Sequence, residues 1–215
     1  LYDNPELAHA LIERFTQIHL HELDQYEALN VLDTDVYYLH CTPAVTYDLP
    51  VKDMDAETIT AKDVWCRAMA QILGVVSPEM LDEFDLPYTQ RLFDRCGLAY
   101  YGCCEPLHNK IDLLSRRFPN LRRISITPWA DVDVAADRIA GRYVLSYKSN
   151  PAYVAGTSFD PEPVRQETRR VLAACQRSGT PCEFILKDIS TVRQDASRLT
   201  QWVDTVNGVI DEVFG

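Results

Sequence analysis

Apolar residues recur at Leu7, Ala10, Leu11, Phe15, Ile18 and Leu23, close to the helical period, behind an Asn4-Pro5-Glu6 start. Asn4 reads as the N-cap, Pro5 as the first helical position and Glu6 as a charge matched to the positive end of the helix dipole. The spacing predicts one long amphipathic helix to about Leu29. The pattern then changes. Asn30–Leu39 carries the β-branched and aromatic residues Val31, Val36, Tyr37 and Tyr38 and predicts a strand that delivers His40, Cys41 and Thr42-Pro43 at its end. An irregular stretch runs from Tyr47-Asp48-Leu49-Pro50 to about Ile59, of the kind that functional loops use. Thr60–Leu73 is predicted as a helix containing Trp65. Ser77-Pro78-Glu79 starts another, which Pro87 kinks or restarts and Gly97 ends.

From there strands and helices alternate. A short apolar run, Leu98 to Tyr101, reads as a buried strand, and a helix from about Lys110 to Arg117 follows. Next come a strand at Arg122–Thr127, a helix at Val132–Ile139 and a strand at Tyr143–Ser146. Asp160-Pro161-Glu162 caps a long helix that ends before Gly179, a strand spans Cys182–Leu186, and a last helix covers about Arg198–Phe214. Such alternation means βαβ units and a parallel sheet with right-handed crossovers. No G-x-G-x-x-G is present, so a dinucleotide crevice loses its main support. Polar residues after each strand (His40, Glu105, Asp131, Lys148, Asp188) suggest the mouth of a barrel. A full (β/α)8 barrel takes ~250 residues. About five βα units are counted, so the expected fold is α/β, the C-terminal part of a (β/α)8 TIM barrel.

Composition narrows the function classes. With 47% hydrophobic and 25% charged residues, the 215-residue chain is ordinary for a globular core or part of one. No apolar run reaches the ~18 residues of a membrane span, and no signal peptide is seen. The net charge of −11 argues against a nucleic-acid partner. Seven cysteines without framework spacing point to a reducing, cytoplasmic setting. The opening Leu1-Tyr2-Asp3 has no Met and runs straight into a helix. Residues 1–215 are therefore expected to form a single partial barrel domain whose N-terminal units are absent.

The densest chemistry lies at Leu98–His108, where Gly102 breaks the strand and Cys103, Cys104, Glu105 and His108 follow within six positions. In α/β folds the carboxyl ends of strands are where chemistry is placed. The thiolates suit nucleophilic or metal chemistry if a neighbouring charge lowers their pKa. Glu105 and Asp188 suit acid or base roles, and Lys148 and Lys187 suit an anionic substrate. The competing reading is structural: buried cysteines often act as small hydrophobes, and Lys187-Asp188 can be a bridge across the rim.

Three runs carry a family resemblance: Val76-Ser77-Pro78-Glu79-Met80, Tyr100-Tyr101-Gly102-Cys103-Cys104-Glu105-Pro106-Leu107 and Ile124-Ser125-Ile126-Thr127-Pro128-Trp129-Ala130-Asp131. With Leu186-Lys187-Asp188-Ile189-Ser190-Thr191-Val192, they resemble an uncharacterised branch of the uroporphyrinogen decarboxylase (URO-D) superfamily. The resemblance implies a (β/α)8 barrel and, for the parent enzyme, one of two activities. These are methyl transfer linked to a corrinoid protein, with zinc activating a thiol, or decarboxylation of a porphyrinogen-like substrate. Cys103 matches the first zinc-ligating Cys, but Tyr101 stands where the methyltransferases have His, and Lys187-Asp188 stands in place of their last Cys. The decarboxylases' essential Asp and arginines belong to N-terminal strands that this chain does not contain.

The expected site therefore has Cys103, Glu105, Asp188 and Lys187 as catalytic residues and Tyr47, Trp129, Asp131, Tyr147 and Lys148 binding substrate. Cys103, Cys104 and His108 are the candidate ligands for zinc. Methyl transfer is favoured over decarboxylation, with a catalytically incomplete fragment as the third reading. A homo-oligomer is expected, because part of a barrel leaves edge strands and apolar surface uncovered.

Overall fold

A computed structural model describes residues 1–34, 38, 39, 42, 43, 45–50 and 58–215. The chain opens with α1 (Pro5–Ala28), capped as expected by the Asn4 side chain, which accepts from the Leu7 N–H at 3.0 Å. Tyr38–Leu39 (β1) and Thr42–Pro43 (β2) pair antiparallel. Val36, His40 and Cys41 lie outside the described residues. The elements that follow are β3 (Trp65–Ala68), α2 (Pro78–Phe84), α3 (Leu86–Phe93), β4 (Leu98–Tyr101), α4 (Ile111–Arg117) and β5 (Leu121–Ile126). The chain closes with α5 (Val132–Ile139), β6 (Val144–Ser149), α6 (Ala152–Ala155), α7 (Pro161–Ser178), β7 (Cys182–Leu186) and α8 (Ser197–Phe214).

β3 to β7 form one five-stranded parallel sheet in which spatial order follows chain order. A doubly wound sheet reverses its order at a switch point; this one does not. Its core lies on one face. Ala99 and Tyr101 of β4, Ile124 and Ile126 of β5, and Leu145 and Tyr147 of β6 pack against helix residues such as Phe93, Ile111, Leu114, Ala135, Ile139 and Val171. The alternate positions face the other way, and they are polar. Tyr100, Ser125, Ser146 and Lys148 are nonetheless almost wholly buried there.

That polar face is internally bonded. Tyr100 Oη donates to Ser146 Oγ at 3.4 Å, and Lys148 Nζ does so at 3.0 Å. The Lys148 ammonium and the Arg67 guanidinium lie 5.3 and 5.7 Å from the Tyr100 ring centre. Arg123 of β5 pairs with Glu183 of β7, and Thr42 Oγ1 from β2 donates to Glu183 Oε1 at 3.0 Å. The β2 residue Thr42 thus sits on the face opposite the helices.

Three expectations are corrected. Thr60–Leu73 is not a helix: one 3-10 turn at Ala61–Asp63 precedes β3, and another at Gln71–Leu73 follows it. Asp63 closes the capping box with Thr60 that makes this stretch look helical, but the turn ends at once. Pairing with β4 then decides the conformation of the four residues that follow. Of the expected first sheet strand at Asn30–Leu39, residues 30–34 are not strand, and Tyr38–Leu39 pairs with β2 and not with the parallel sheet. Finally, α1 does not bury its apolar stripe: Leu7, Leu11, Phe15 and Ile18 are exposed. Its charged flank meets α3 and the turn after it instead, through Glu13–Arg91 at 2.5 Å and Asp24 and Glu27 on Arg95 at 2.8 and 2.6 Å.

Candidate thiolate site

β4 ends at Gly102, whose φ of +102° is open to glycine and strained for other residues. A Cβ there would lie 2.5 Å from Leu107 Cδ1 and 3.0 Å from Ser125 Cβ. This sharp exit breaks the alternation of a strand, and the neighbouring Cys103 and Cys104 bring their sulfurs to 3.5 Å of each other. The Cys103 peptide is held from both sides. Its N–H donates to Glu105 Oε2 at 2.9 Å, and its carbonyl accepts from Ser125 Oγ at 2.7 Å.

The end of β7 supplies the rest. Lys187 Nζ donates to Cys104 Sγ at 2.8 Å, to Cys103 Sγ at 3.3 Å and to Asp188 Oδ2 at 2.6 Å. Only 9% of the Lys187 side chain is exposed, against 61% for Asp188. Asp188 has a left-handed φ of 57°, a conformation that costs about 1–2 kcal/mol outside glycine and is tolerated best by Asn and Asp. Its carboxylate accepts from Cys104 Sγ at 3.2 Å.

The four groups divide the protons. Burial raises the Cys103 pKa, but hydrogen bonds from Cys104 and Lys187 and the charges of Lys187 and Arg67 outweigh it and hold the thiol below its ordinary value. Burial pushes Cys104 up to about 11, helped by its bonds to Asp188 and Cys103 and opposed by Lys187. Burial disfavours the Lys187 charge, yet Asp188 and the two sulfurs overcome this and raise its pKa. The geometry agrees in direction: Cys104 donates its proton to Asp188 at 3.2 Å, and Cys103 accepts from Lys187 at 3.3 Å with the Cys104 sulfur 3.5 Å away. Of the two sulfurs, Cys103 is therefore the one more readily ionised, and Lys187 is the cation between them.

A cavity of about 240 Å³ opens beside them, lined by Cys103, Cys104, Lys187 and Asp188 together with Trp129 and Lys148. Thr127, Ser149 and Pro151 also line it and were not legible as site residues in the sequence. Six of the expected residues thus meet. The others have different partners. Glu105 is buried and accepts from the backbone N–H groups of Ala70 at 3.0 Å and Cys103. Asp131 caps α5 by accepting from the N–H groups of Asp133 and Val134 at 3.0 and 3.2 Å. Tyr147 is not beyond the strand, because β6 runs to Ser149. Its ring lies in the helix-side core, and its hydroxyl donates to Glu167 at 3.2 Å. Tyr47 is fully exposed and away from the cavity lining. His108 is half-buried, and its Nδ1 has no hydrogen-bond partner among the described residues.

The zinc ion implied by the resemblance does not fit this donor set. Lys187 places its own positive charge between the two sulfurs and the carboxylate, where a dication would have to sit. Among the described residues, no three of His, Cys, Asp and Glu converge in a way that could hold a metal. Fold and site together define an α/β protein with a lysine bonded to two adjacent cysteine sulfurs at the carboxyl end of a parallel sheet. No protein-family model matches the chain, and a search of curated proteins yields no match. No helix of the described residues is long and apolar enough to cross a membrane.

Proposed function

We propose that this chain is the C-terminal part of a (β/α)8 barrel of the uroporphyrinogen decarboxylase superfamily and that its mouth performs thiolate-based transfer of a methyl group. A corrinoid protein is the methyl donor implied by the resemblance. The observation that carries the reading is the Lys187 ammonium bonded to both sulfurs. It favours the ionised form of Cys103, and the thiolate is the form of cysteine that attacks carbon. In this mechanism Cys103 Sγ attacks the methyl carbon, an S–C bond forms, and the electron pair of the broken bond leaves with the donor. Lys148 and Trp129 bind the small molecule that finally takes the group, and Asp188 holds the Cys104 proton. The consecutive parallel order of β3 to β7 supports the barrel. Decarboxylation of a porphyrinogen-like substrate is less well supported. The resemblance puts the decarboxylases' essential Asp and arginines on strands outside this chain, and among the described residues no arginine lines the cavity beside the two sulfurs.

Methylcobalamin tests the proposal. Incubation with the chain should leave one methyl group on Cys103, located by peptide mass spectrometry, and a Cys103→Ser variant should take none. An unmethylated Cys103 that still reacts readily with iodoacetamide would reject methyl transfer. A piece with folding information but no complete site would give that result.

Association is the second expected outcome. Among the described residues β3 and β7 are each paired on one side only. An apolar groove of about 700 Å³, lined by Phe184, Trp202, Val206 and Phe214 among others, runs beside β7. With the exposed stripe Leu7, Leu11, Phe15 and Ile18, it offers apolar surface that a second copy can cover. Light scattering should give a homo-oligomer, a second copy covering these surfaces. A stable monomer would count against the partial barrel.

A further inference from the structure

We propose that Cys103 and Cys104 form a chelating site for a trivalent, uncharged, sulfur-seeking centre, and that its ligand class is arsenite and the monoorganyl arsenicals. The inference rests on the paired sulfurs and not on the methyl-transfer reading.

Several features act together. The sulfurs are 3.5 Å apart, a span that one trivalent atom with two bonds to sulfur bridges. They are pre-set at that spacing, since Gly102 fixes the turn and the Cys103 peptide is pinned by Glu105 and Ser125. A chelating pair gains most when its geometry exists before the ligand arrives. Both thiols line the same cavity, which is the route to the pair: Cys104 is half-buried and Cys103 is 3% exposed. The Lys187 ammonium that opposes a dication does not oppose an uncharged arsenic hydroxide, and after binding it retains Asp188 at 2.6 Å. Trp129, Pro128 and Pro151 edge the cavity and offer apolar surface to the organic group of a monoorganyl arsenical.

The chemistry is a condensation. Counted from two thiols and one organyl arsenic dihydroxide, two As–S bonds form, two As–O bonds break and two waters leave. Neither arsenic nor sulfur changes oxidation state, so no co-reactant is needed. One proton comes from Cys104, which Asp188 is placed to accept and hand to a departing hydroxide; the proton equivalent for the other, missing at the Cys103 thiolate, comes from solvent.

Phenylarsine oxide is the probe. One equivalent should bind per chain and shield both Cys103 and Cys104 from iodoacetamide. It should resist excess monothiol and be stripped by 2,3-dimercaptopropanol. Peptide mapping of the unaltered protein locates the bridge without any variant. Cys103→Ser and Cys104→Ser should each weaken binding by about a hundredfold or more, because the second bond is no longer intramolecular. Displacement by monothiol would overturn the proposal, as would a bridge mapped to other cysteines or binding unchanged in both variants.

Discussion

Lys187→Met should slow alkylation of Cys103 by iodoacetamide at neutral pH by tenfold or more. Methionine keeps an unbranched chain one heavy atom shorter and removes the ammonium that donates to Cys103 at 3.3 Å and to Cys104 at 2.8 Å. A hydrogen bond to a charged group contributes about 1.5–3 kcal/mol, and 1.4 kcal/mol is a factor of ten in the thiolate population. The direction in pH follows from the same balance. In the unaltered protein Cys103 titrates below an ordinary thiol, so its alkylation rate rises and levels off at lower pH than that of free cysteine. Without Lys187, burial is opposed only by the Cys104 bond and the Arg67 charge, and the profile moves to higher pH. Cys104 should respond only near pH 11 in the unaltered protein. Cys96 and Cys175 are buried outside this cavity, and their slow reaction should be the same in both proteins. A Lys187→Met protein that alkylates at the original rate would remove Lys187 from the site.

The parts of this molecule that the sequence made legible are those where one local rule suffices. Helix α5 was expected at Val132–Ile139 and is found there, because Asp131 caps it and the apolar residues keep one period. Helix α7 begins after Asp160 and stops at Gly179, whose φ of +65° is the left-handed turn expected of a glycine at that place. The carboxyl ends of β4 and β7 were legible as one rim, since parallel strands put their ends on the same side. Tertiary partners decided the rest. β3 is a four-residue strand between two turns, with no alternation long enough to read, and its pairing with β4 outweighs a helical-looking start. The polar face formed by Arg67, Tyr100, Arg123, Ser146 and Glu183 is invisible one strand at a time, because its contacts Arg67–Tyr100, Tyr100–Ser146 and Arg123–Glu183 each run between strands. The Cys-Cys-Glu turn announced chemistry, but no spacing rule says that a lysine 83 positions after Cys104 donates to its sulfur.

Glu105 separates what such a turn contains from what it does, and the largest expected loss of stability lies there. Glu105→Ala should reduce the unfolding free energy by about 2–6 kcal/mol, measured by urea denaturation, and should also slow Cys103 alkylation. The carboxylate is buried and accepts from two backbone N–H groups, Ala70 at 3.0 Å through Oε1 and Cys103 at 2.9 Å through Oε2. Each buried donor left without a partner costs about 1–3 kcal/mol, and a domain of this kind has only ~5–15 kcal/mol to lose. The two bonds join the end of β3 to the turn after β4, so their loss frees the Cys103 peptide and with it the 3.5 Å sulfur pair. Glu105→Gln should lose about half as much, because one oxygen still accepts while its NH2 group faces an N–H that it cannot satisfy. An acid or base working at the mouth would behave differently: alanine there would leave the denaturation curve in place and abolish methyl transfer alone. That outcome would return Glu105 to the reacting groups. A shifted curve with a graded response from alanine to glutamine makes it the clamp that holds the thiolate in position.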